Sequence, residues 1–435
     1  IMERLVGSEM CIRDRLASLS SGVHFAHEGT GSFAKALAPV EFDSADAWVW
    51  LAYDQLNTAF LDSLNLDGKV GVVLIESSDK AGRRPYHQQK LGVLLSNQRH
   101  FAVELQEAGH PVAYLISQKP YAAVLEDVAQ QTGSLHAVQA AERELRLEVA
   151  PLVENGMLQV HDHPGWLTPR SWFIESVGEQ PPFRMDAFYR KVRQETGWMM
   201  TEGKPVGGKY SFDAENRFPW KGDPPAPAAP VFGKDAIDAE VEVLVQTHYG
   251  HHPGAVDLSM QPTSASDVEQ ALAFGVACLP NFGRYEDAMS EKSRGLFHSR
   301  LATLVNLHRV MPSVVVDAAL VSEAPLNSVE GFVRQMIWRE YVRHIHEVTD
   351  GFRTLDVNRS ASERGARWEG FSAQDGEDHP NHLMQHTPLP QAYWGATSGL
   401  RCLDASVESV MEDGWTHHIP RLMVLSNVAN LLDVD

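Results

Sequence analysis

Between Ala47 and His161, short apolar runs alternate with longer stretches of helical period. Trp48 to Tyr53, Val70 to Ile75, Val112 to Ile116, Leu135 to Val138 and Leu158 to His161 have the length and bounding polar residues of strands. His87 to Ala108, Tyr121 to Gln131 and Glu142 to Val153 carry the 3.6-residue period of helices, the first closed by Gly109. Strands joined by crossover helices predict a doubly wound, mainly parallel sheet, an α/β domain over residues 45–165. Ligands of such sheets sit beyond the carboxyl ends of strands, here Asp54 to Asn57 and Glu76 to Ser78. No GxGxxG is present, so a conventional NAD fingerprint is absent.

The regular alternation then stops. Residues 166–259 read as a connector, polar and glycine-bearing with several aromatics, notably in Phe183 to Arg190 and Gly197 to Arg217. Gly207-Gly208 is open to two readings. One is an ordered loop held by Phe and Trp side chains, which composition favours; the other is backbone approach to a ligand or phosphate, with Lys209 and Arg217 nearby. Asp223 to Val231, rich in Pro and Ala, reads as a stiff linker.

Residues 260–435 predict an all-α domain. Val268 to Leu279, Ser299 to Val310, Val329 to His346, Ala405 to Met411 and Ile419 to Leu432 all carry helical period. In the last, His418, Arg421, Leu422 and Leu425 fall at i, i+3, i+4 and i+7, on one face of a buried helix. Pro420 belongs in a first turn, so that helix begins near His417 or His418. A proton donor and a fixed cation at its mouth suit chemistry on an anionic ligand; exposed histidines on an N-terminal turn are the alternative. Trp338, between Arg334, Arg339 and Arg343, reads either as a base-stacking platform or as a core tryptophan with solvated arginines.

Composition narrows the classes. The 435-residue chain carries a net charge of −20, which argues against nonspecific nucleic-acid binding by the whole surface but leaves room for a local basic face. Cys11, Cys278 and Cys402 are isolated, with no CxxC, which points away from a disulfide scaffold and towards a reducing compartment, the cytoplasm. No apolar run has the length of a membrane span. The string Ser8 to Arg15 resembles translated adapter read-through, so residues 1–15 are set aside as non-native. Leu431 to Asp435 ends inside or just after a helical pattern, and a C-terminally incomplete helical domain is expected.

Several blocks together resemble the photolyase/cryptochrome superfamily, closest to the bacterial (6-4) photolyases with an iron–sulfur cluster. They are Asp54 to Asn57, Asn97 to Ala102, Arg184 to Arg190, Pro205 to Arg217 and Phe282 to Met289, then His298-Ser299, Glu330 to Gln335, Trp338 to Tyr341, Trp394, Cys402 and His417 to Met423. They follow in family order from Trp48 to the last residue, and Pro205 to Arg217 is the most specific.

The resemblance implies an FAD-binding helical domain, with FAD near Tyr285, His298, Ser299, Arg339 and Arg421. It implies light-driven repair of (6-4) photoproducts in UV-damaged DNA by electron transfer from reduced FAD. His418 and His417 would assist proton transfer, Gln335 and Trp338 would hold the flipped lesion, and Trp394 would relay electrons. A monomer is expected. A cryptochrome-like blue-light signalling flavoprotein without repair is the alternative. Departures accompany the match. The family's 4Fe-4S cluster needs four thiolates, and only Cys402 corresponds to one. Ala302, Thr303 and His308 replace the family's usual residues after His298-Ser299. The branch's lumazine antenna uses a Glu ahead of an HHxxK motif; Lys80 and Tyr86 to Lys90 stand there, which argues against an antenna.

Overall fold

The structure is a computed structural model, and it describes residues 19–353, 383, 385 and 387–434. The proposed read-through of residues 1–15, with Cys11, lies outside the described residues.

Six strands form one sheet in the order β1-β4-β3-β2-β5-β6. They are β1 (Val23–Phe25), β2 (Ala47–Trp50), β3 (Val70–Ser77), β4 (Val112–Ser117), β5 (Leu135–Val138) and β6 (Leu158–His161). All neighbours are parallel except the edge pair β1–β4. Alternation divides the strands between two cores. Val49, Leu51, Val72 and Leu74 face helix α1 (Gln88–Glu107) in one core, while Trp48, Trp50, Val73 and Ile75 face α2 (Tyr121–Thr132) and α3 (Arg143–Glu154) in the other. Burial on both faces makes these strands near-continuous apolar runs, and this is why they stand out in the sequence. β1, three residues long, does not.

The topological switch falls at β2, which has β3 on one side and β5 on the other. The fold itself consumes the polar residues there. Gln55 accepts from Ala52 N and donates to the Val138 and Gln139 carbonyls, tying the β2 end to β5. Glu76 accepts two bonds from Arg99 at 3.1 Å and one from Tyr114 at 2.9 Å.

The connector holds more helix than its polarity suggests. α4 (Arg170–Val177) and α5 (Met185–Thr196) bury Phe173, Phe188, Tyr189 and Val192 in the core of the helical domain. The Phe183 to Arg190 stretch, expected as loop, is therefore mostly helix, closed by Gly197 at φ 71°. α6 (Ala236–Tyr249) starts on a capping box of Asp235 and Asp238 and packs Val241 and Val245 with α1.

In the helical domain α7 (Ala265–Phe282), α8 (Pro312–Leu320) and α9 (Leu326–Val348) surround one core, and α10 (Arg401–Asp413) follows. Two expectations are corrected here. The helix read over Ser299 to Val310 shrinks to Ala302–Asn306, because Arg300 and His308 adopt left-handed backbone at φ 59° and 55°. The Ile419 to Leu432 helix does begin at His418, but Pro420–Ser426 winds as a π-helix before Asn427–Leu431. That wider turn breaks the expected i, i+3, i+4, i+7 face. The helix is not buried throughout: Leu422 and Met423 are 59% and 61% exposed, while Val424 packs inward with Leu425 and Val428 beside it.

The two domains meet through buried polar groups. Arg309 pairs with Glu104 at 2.7 Å through two nitrogens and donates to Asn97 at 3.1 Å. His308 Nδ1 contacts the Asp54 carbonyl at 2.6 Å, and its ring packs edge-on against Phe60. The bulky His308 thus wedges the junction between the domains.

Candidate active site

Two fully buried carboxylates organise the face of α9 that meets the connector. Glu330 accepts from the Tyr189 hydroxyl at 2.8 Å, from Phe212 N at 2.9 Å and from Arg334, one helical turn on, at 3.2 Å. Glu286 accepts from Asn216 Nδ2 at 2.8 Å and from Gln335 Nε2 at 2.7 Å. Gly331 lets them close up, since a Cβ there would lie 2.7 Å from Glu286 and 2.8 Å from Asn216. The Pro205 to Arg217 block therefore docks the connector onto α9. Gly207 belongs to the same packing: at φ 75°, a Cβ would meet the Phe212 ring at 2.7 Å. Of the two readings of Gly207-Gly208, the structure favours the ordered, aromatic-held loop.

The histidines sit next to this network. His418 Nε2 lies 4.0 Å from Asp287 Oδ1. His298 stacks on His417 with ring centroids 4.1 Å apart and planes 18° apart, and meets His418 at 5.3 Å and 72°. His298 Nε2 and His417 Nδ1 are buried and have no hydrogen-bond partner. Burial pushes the His417 pKa down to about 3, helped by the charges of His418, Arg421 and Arg300. His298 is driven well below the ordinary histidine value by burial and then by His417 and His418. Burial also lowers His418, but the Glu286 carboxylate opposes it, while Arg421 and Arg334 add to it. The Asp287 carboxyl is raised by burial and by its neighbour Glu286.

Residues far apart in sequence are thus brought together: His418 and Gln335 meet the Glu286-Asp287 pair, and His298 and His417 pack beside His418. Ser299 and Arg421 flank the same histidines, and Arg421 and Arg300 make no ion pair among the described residues. Arg300 instead lies over the Trp415 ring at 4.6 Å. Tyr285 is buried against Phe297, its hydroxyl taken by the Asp223 carbonyl at 3.2 Å. Arg339 turns away to the domain junction, over Trp166 at 4.3 Å and paired with Glu340 at 3.2 Å. Trp338 is 40% exposed, edge-on to Tyr341. It is not a core tryptophan, and the arginines around it are ion-paired rather than solvated. Trp394, 39% exposed, ends the short Gln391–Trp394 turn that packs on α10. Glu286, Asp287, Asn216 and Glu330 had no role assigned from sequence; their presence inside the quoted blocks was the available signal.

The thiols do not assemble. Cys402 is exposed on α10, whereas Cys278 is buried in the helical core with its pKa pushed up to about 12. The described residues do not offer the four thiolates of a 4Fe-4S cluster. The positions compared with the antenna motif are committed to the protein: Lys80 pairs with Glu142, Gln88 donates to the His252 and Gly254 carbonyls, and Gln89 bonds Asp257. Among the described residues, no helix is long and apolar enough to cross a membrane.

Residues 49–259 match the family model described as deoxyribodipyrimidine photo-lyase-related protein. A (6-4) photolyase of Agrobacterium fabrum is 31% identical over 398 residues, covering 88% of this chain and 74% of that protein. The crystal structure of a bacterial class III photolyase from Agrobacterium tumefaciens superposes with a TM-score of 0.56 at 16% identity, over 92% of this chain and 75% of that one. At that identity the superposition speaks for the fold: a parallel-sheet α/β domain with a mostly helical remainder.

Proposed function

The chain belongs to the deoxyribodipyrimidine photo-lyase-related family of photolyases, and from that premise we propose that it repairs (6-4) pyrimidine photoproducts in ultraviolet-damaged DNA under light, with FAD as cofactor. The observation that carries this reading is the convergence of the His418 imidazole and the Gln335 amide on Glu286-Asp287. A (6-4) lesion needs a proton moved at a base heteroatom while its bonds rearrange, and these are the side chains suited to that and to holding a flipped base edge.

FAD, when bound, supplies the light-driven electron. The chemistry of the donor set fits it. The unpaired guanidiniums of Arg300 and Arg421, with the Ser299 hydroxyl and the neutral His298, suit the phosphates of a dinucleotide. Tyr285 packs beside that site against Phe297, whereas Arg339 lies at the domain junction and has no part in it.

His418 is the proton donor and acts in its protonated form. Burial lowers its pKa and the Glu286 carboxylate opposes that. Negative charge developing on the lesion acts in the same sense as Glu286 and favours the imidazolium, which gives its proton to the base heteroatom and is left as the neutral imidazole that can recover it. His417, neutral and buried, fixes the approach of His418. Gln335 has its amide hydrogens turned to Glu286, leaving its carbonyl oxygen to accept from the base edge. The half-exposed face of Trp338 stacks beside the lesion. Trp394, on its exposed turn, relays electrons for flavin photoreduction.

The test is His418→Ala, assayed by restoration of thymines in a (6-4)-damaged oligonucleotide under blue light. Repair is expected to fall at least a hundredfold with FAD content unchanged; repair at the parental rate would show that another group moves the proton.

A further inference from the structure

We propose that Phe218 is a wedge for duplex DNA: its ring enters the gap left when a damaged pyrimidine pair is flipped out, while Arg284 and Lys221 hold phosphates beside it. The inference rests on the repair reading, because only a duplex with an extruded pair offers such a gap.

Phe218 directly follows the block that docks the connector onto α9, and Pro219 comes next. Two backbone bonds fix this stretch to the turn after α7. Phe218 N–H donates to the Arg284 carbonyl at 3.1 Å, and Asp287 N–H donates to the Asn216 carbonyl at 3.4 Å. Asn216 is itself buried, bonded to Glu286 and Asn327. Pro219 adds a fixed φ. A rigid backbone thus presents a ring that is 48% exposed, with the Arg284 guanidinium carbon 4.8 Å from its centroid. Asp287, three residues past Arg284, is the carboxylate beside His418, so this aromatic lip borders the proposed proton-transfer site.

A single exposed apolar side chain is ordinary; charge separates this one from the rest. In a chain of net charge −20, Arg284 and Lys221 are exposed and make no ion pair among the described residues. Arg217, by contrast, is taken by Asp213 and Asp287. Lys221 stands three residues from Phe218, at most about 10 Å along the chain. An aromatic ring flanked by two uncompensated cations matches unstacked DNA, whose bases offer π-faces and whose backbone offers charge. Flipping costs the duplex its stacking, and an apolar wedge in the gap recovers part of that cost. Trp338 then meets the flipped lesion, and Phe218 the bases it left behind.

The full chain is tested in the dark for binding to a (6-4)-damaged and an undamaged duplex, and under light for repair of the lesion in duplex and in single strand. Phe218→Ala is expected to cut the preference for damaged duplex about fivefold or more, and the ratio of duplex to single-strand repair by a similar factor. Phe218→Trp, which keeps an aromatic face, restores both. Lys221→Gln is expected to lower the slope of log affinity against log salt by about one, on damaged and undamaged duplex alike. Parental repair of both substrates with an unchanged preference in Phe218→Ala overturns the wedge alone. So does a loss that is equal on duplex and single strand, which would place the fault in the site and not in the gap. A parental chain that repairs neither substrate overturns the repair reading, and the wedge with it.

Discussion

Gln335 gives its side-chain amide to the buried Glu286 carboxylate at 2.7 Å, although the two lie on different elements, α9 and the turn after α7. The relationship makes residue 335 an electrostatic choice as well as a recognition choice. Gln335→Glu would face Glu286 carboxylate to carboxylate. One of the two must then hold a proton in the folded chain, with its pKa raised above the unfolded value of about 4.3. A raised folded pKa favours folding below it and loses that contribution as pH rises through it. The variant is therefore expected to match the parent near pH 4.5 and to fall below it by about 1–3 kcal/mol at pH 7.5. Urea unfolding at the two pH values measures this, and an equal deficit at both would show that Glu286 does not feel residue 335.

Buried neutral histidines set the acid limit of stability. Burial drives His163, His344 and His417 to about 3 and His308 to about 4. Below about pH 6.5 the unfolded chain takes up these protons and the folded chain does not, so each lowers stability by about 1.4 kcal/mol per pH unit. Asp54 acts in the opposite sense: burial raises it to about 7, so the folded chain gains that proton first. The four histidines outweigh the one aspartate, and stability at pH 5.5 is expected to be lower than at pH 7.5 by about 3 kcal/mol. His344→Gln should remove about 1 kcal/mol of that difference. Unfolding free energies that do not change between the two pH values would sink the account.

The α/β domain was legible because its chemistry is one-dimensional. A strand buried on both faces, such as Val72 to Ile75, is an apolar run wherever it is read. α5 was hidden because Arg190, Lys191 and Arg193 interrupt its apolar positions, and Arg193 is itself buried, bonded to the Trp198, Met199 and Tyr210 carbonyls. The C-terminal helix was misread for a different reason: the periodicity argument assumes 3.6 residues per turn, and Pro420–Ser426 does not have them. At the site, His418 and Gln335 came from family resemblance, since no spacing rule joins residues on separate helices. Their meeting at Glu286 is a tertiary fact. So is the departure of Arg339, one turn from Gln335, whose long side chain reaches Trp166 instead.

The junction between the domains has its own test. Arg309 is buried, and its pair with Glu104 bridges α1 to the helical domain with both bonds at 2.7 Å. Arg309→Ala takes the guanidinium donor from Asn97 and from Glu104, which is partly exposed and keeps the Ala265 backbone N–H, and a loss of about 2–3 kcal/mol is expected. The double variant Arg309→Ala/Glu104→Ala should be less destabilised than the sum of the single changes, by more than about 0.5 kcal/mol. Additive losses would mean that the bond carries nothing across the junction.

Gly207 and Gly208 separate packing from ligand approach. Both have left-handed backbone, at φ 75° and 77°, so alanine at either costs about 1 kcal/mol in conformation. They differ in surroundings: a Cβ at 207 meets Phe212 at 2.7 Å and Leu326 at 3.0 Å, while at 208 nothing lies within 4 Å. Gly207→Ala must also shift Phe212, whose backbone N–H donates to Glu330, so it strains the contact between connector and α9. Its expected cost is about 2–4 kcal/mol, with repair lost in step with stability. Gly208→Ala is expected to stay near 1 kcal/mol with repair retained. If Gly208→Ala instead abolished repair in a stably folded protein, the loop would be touching a ligand through its backbone, and the packing account of this block would fall.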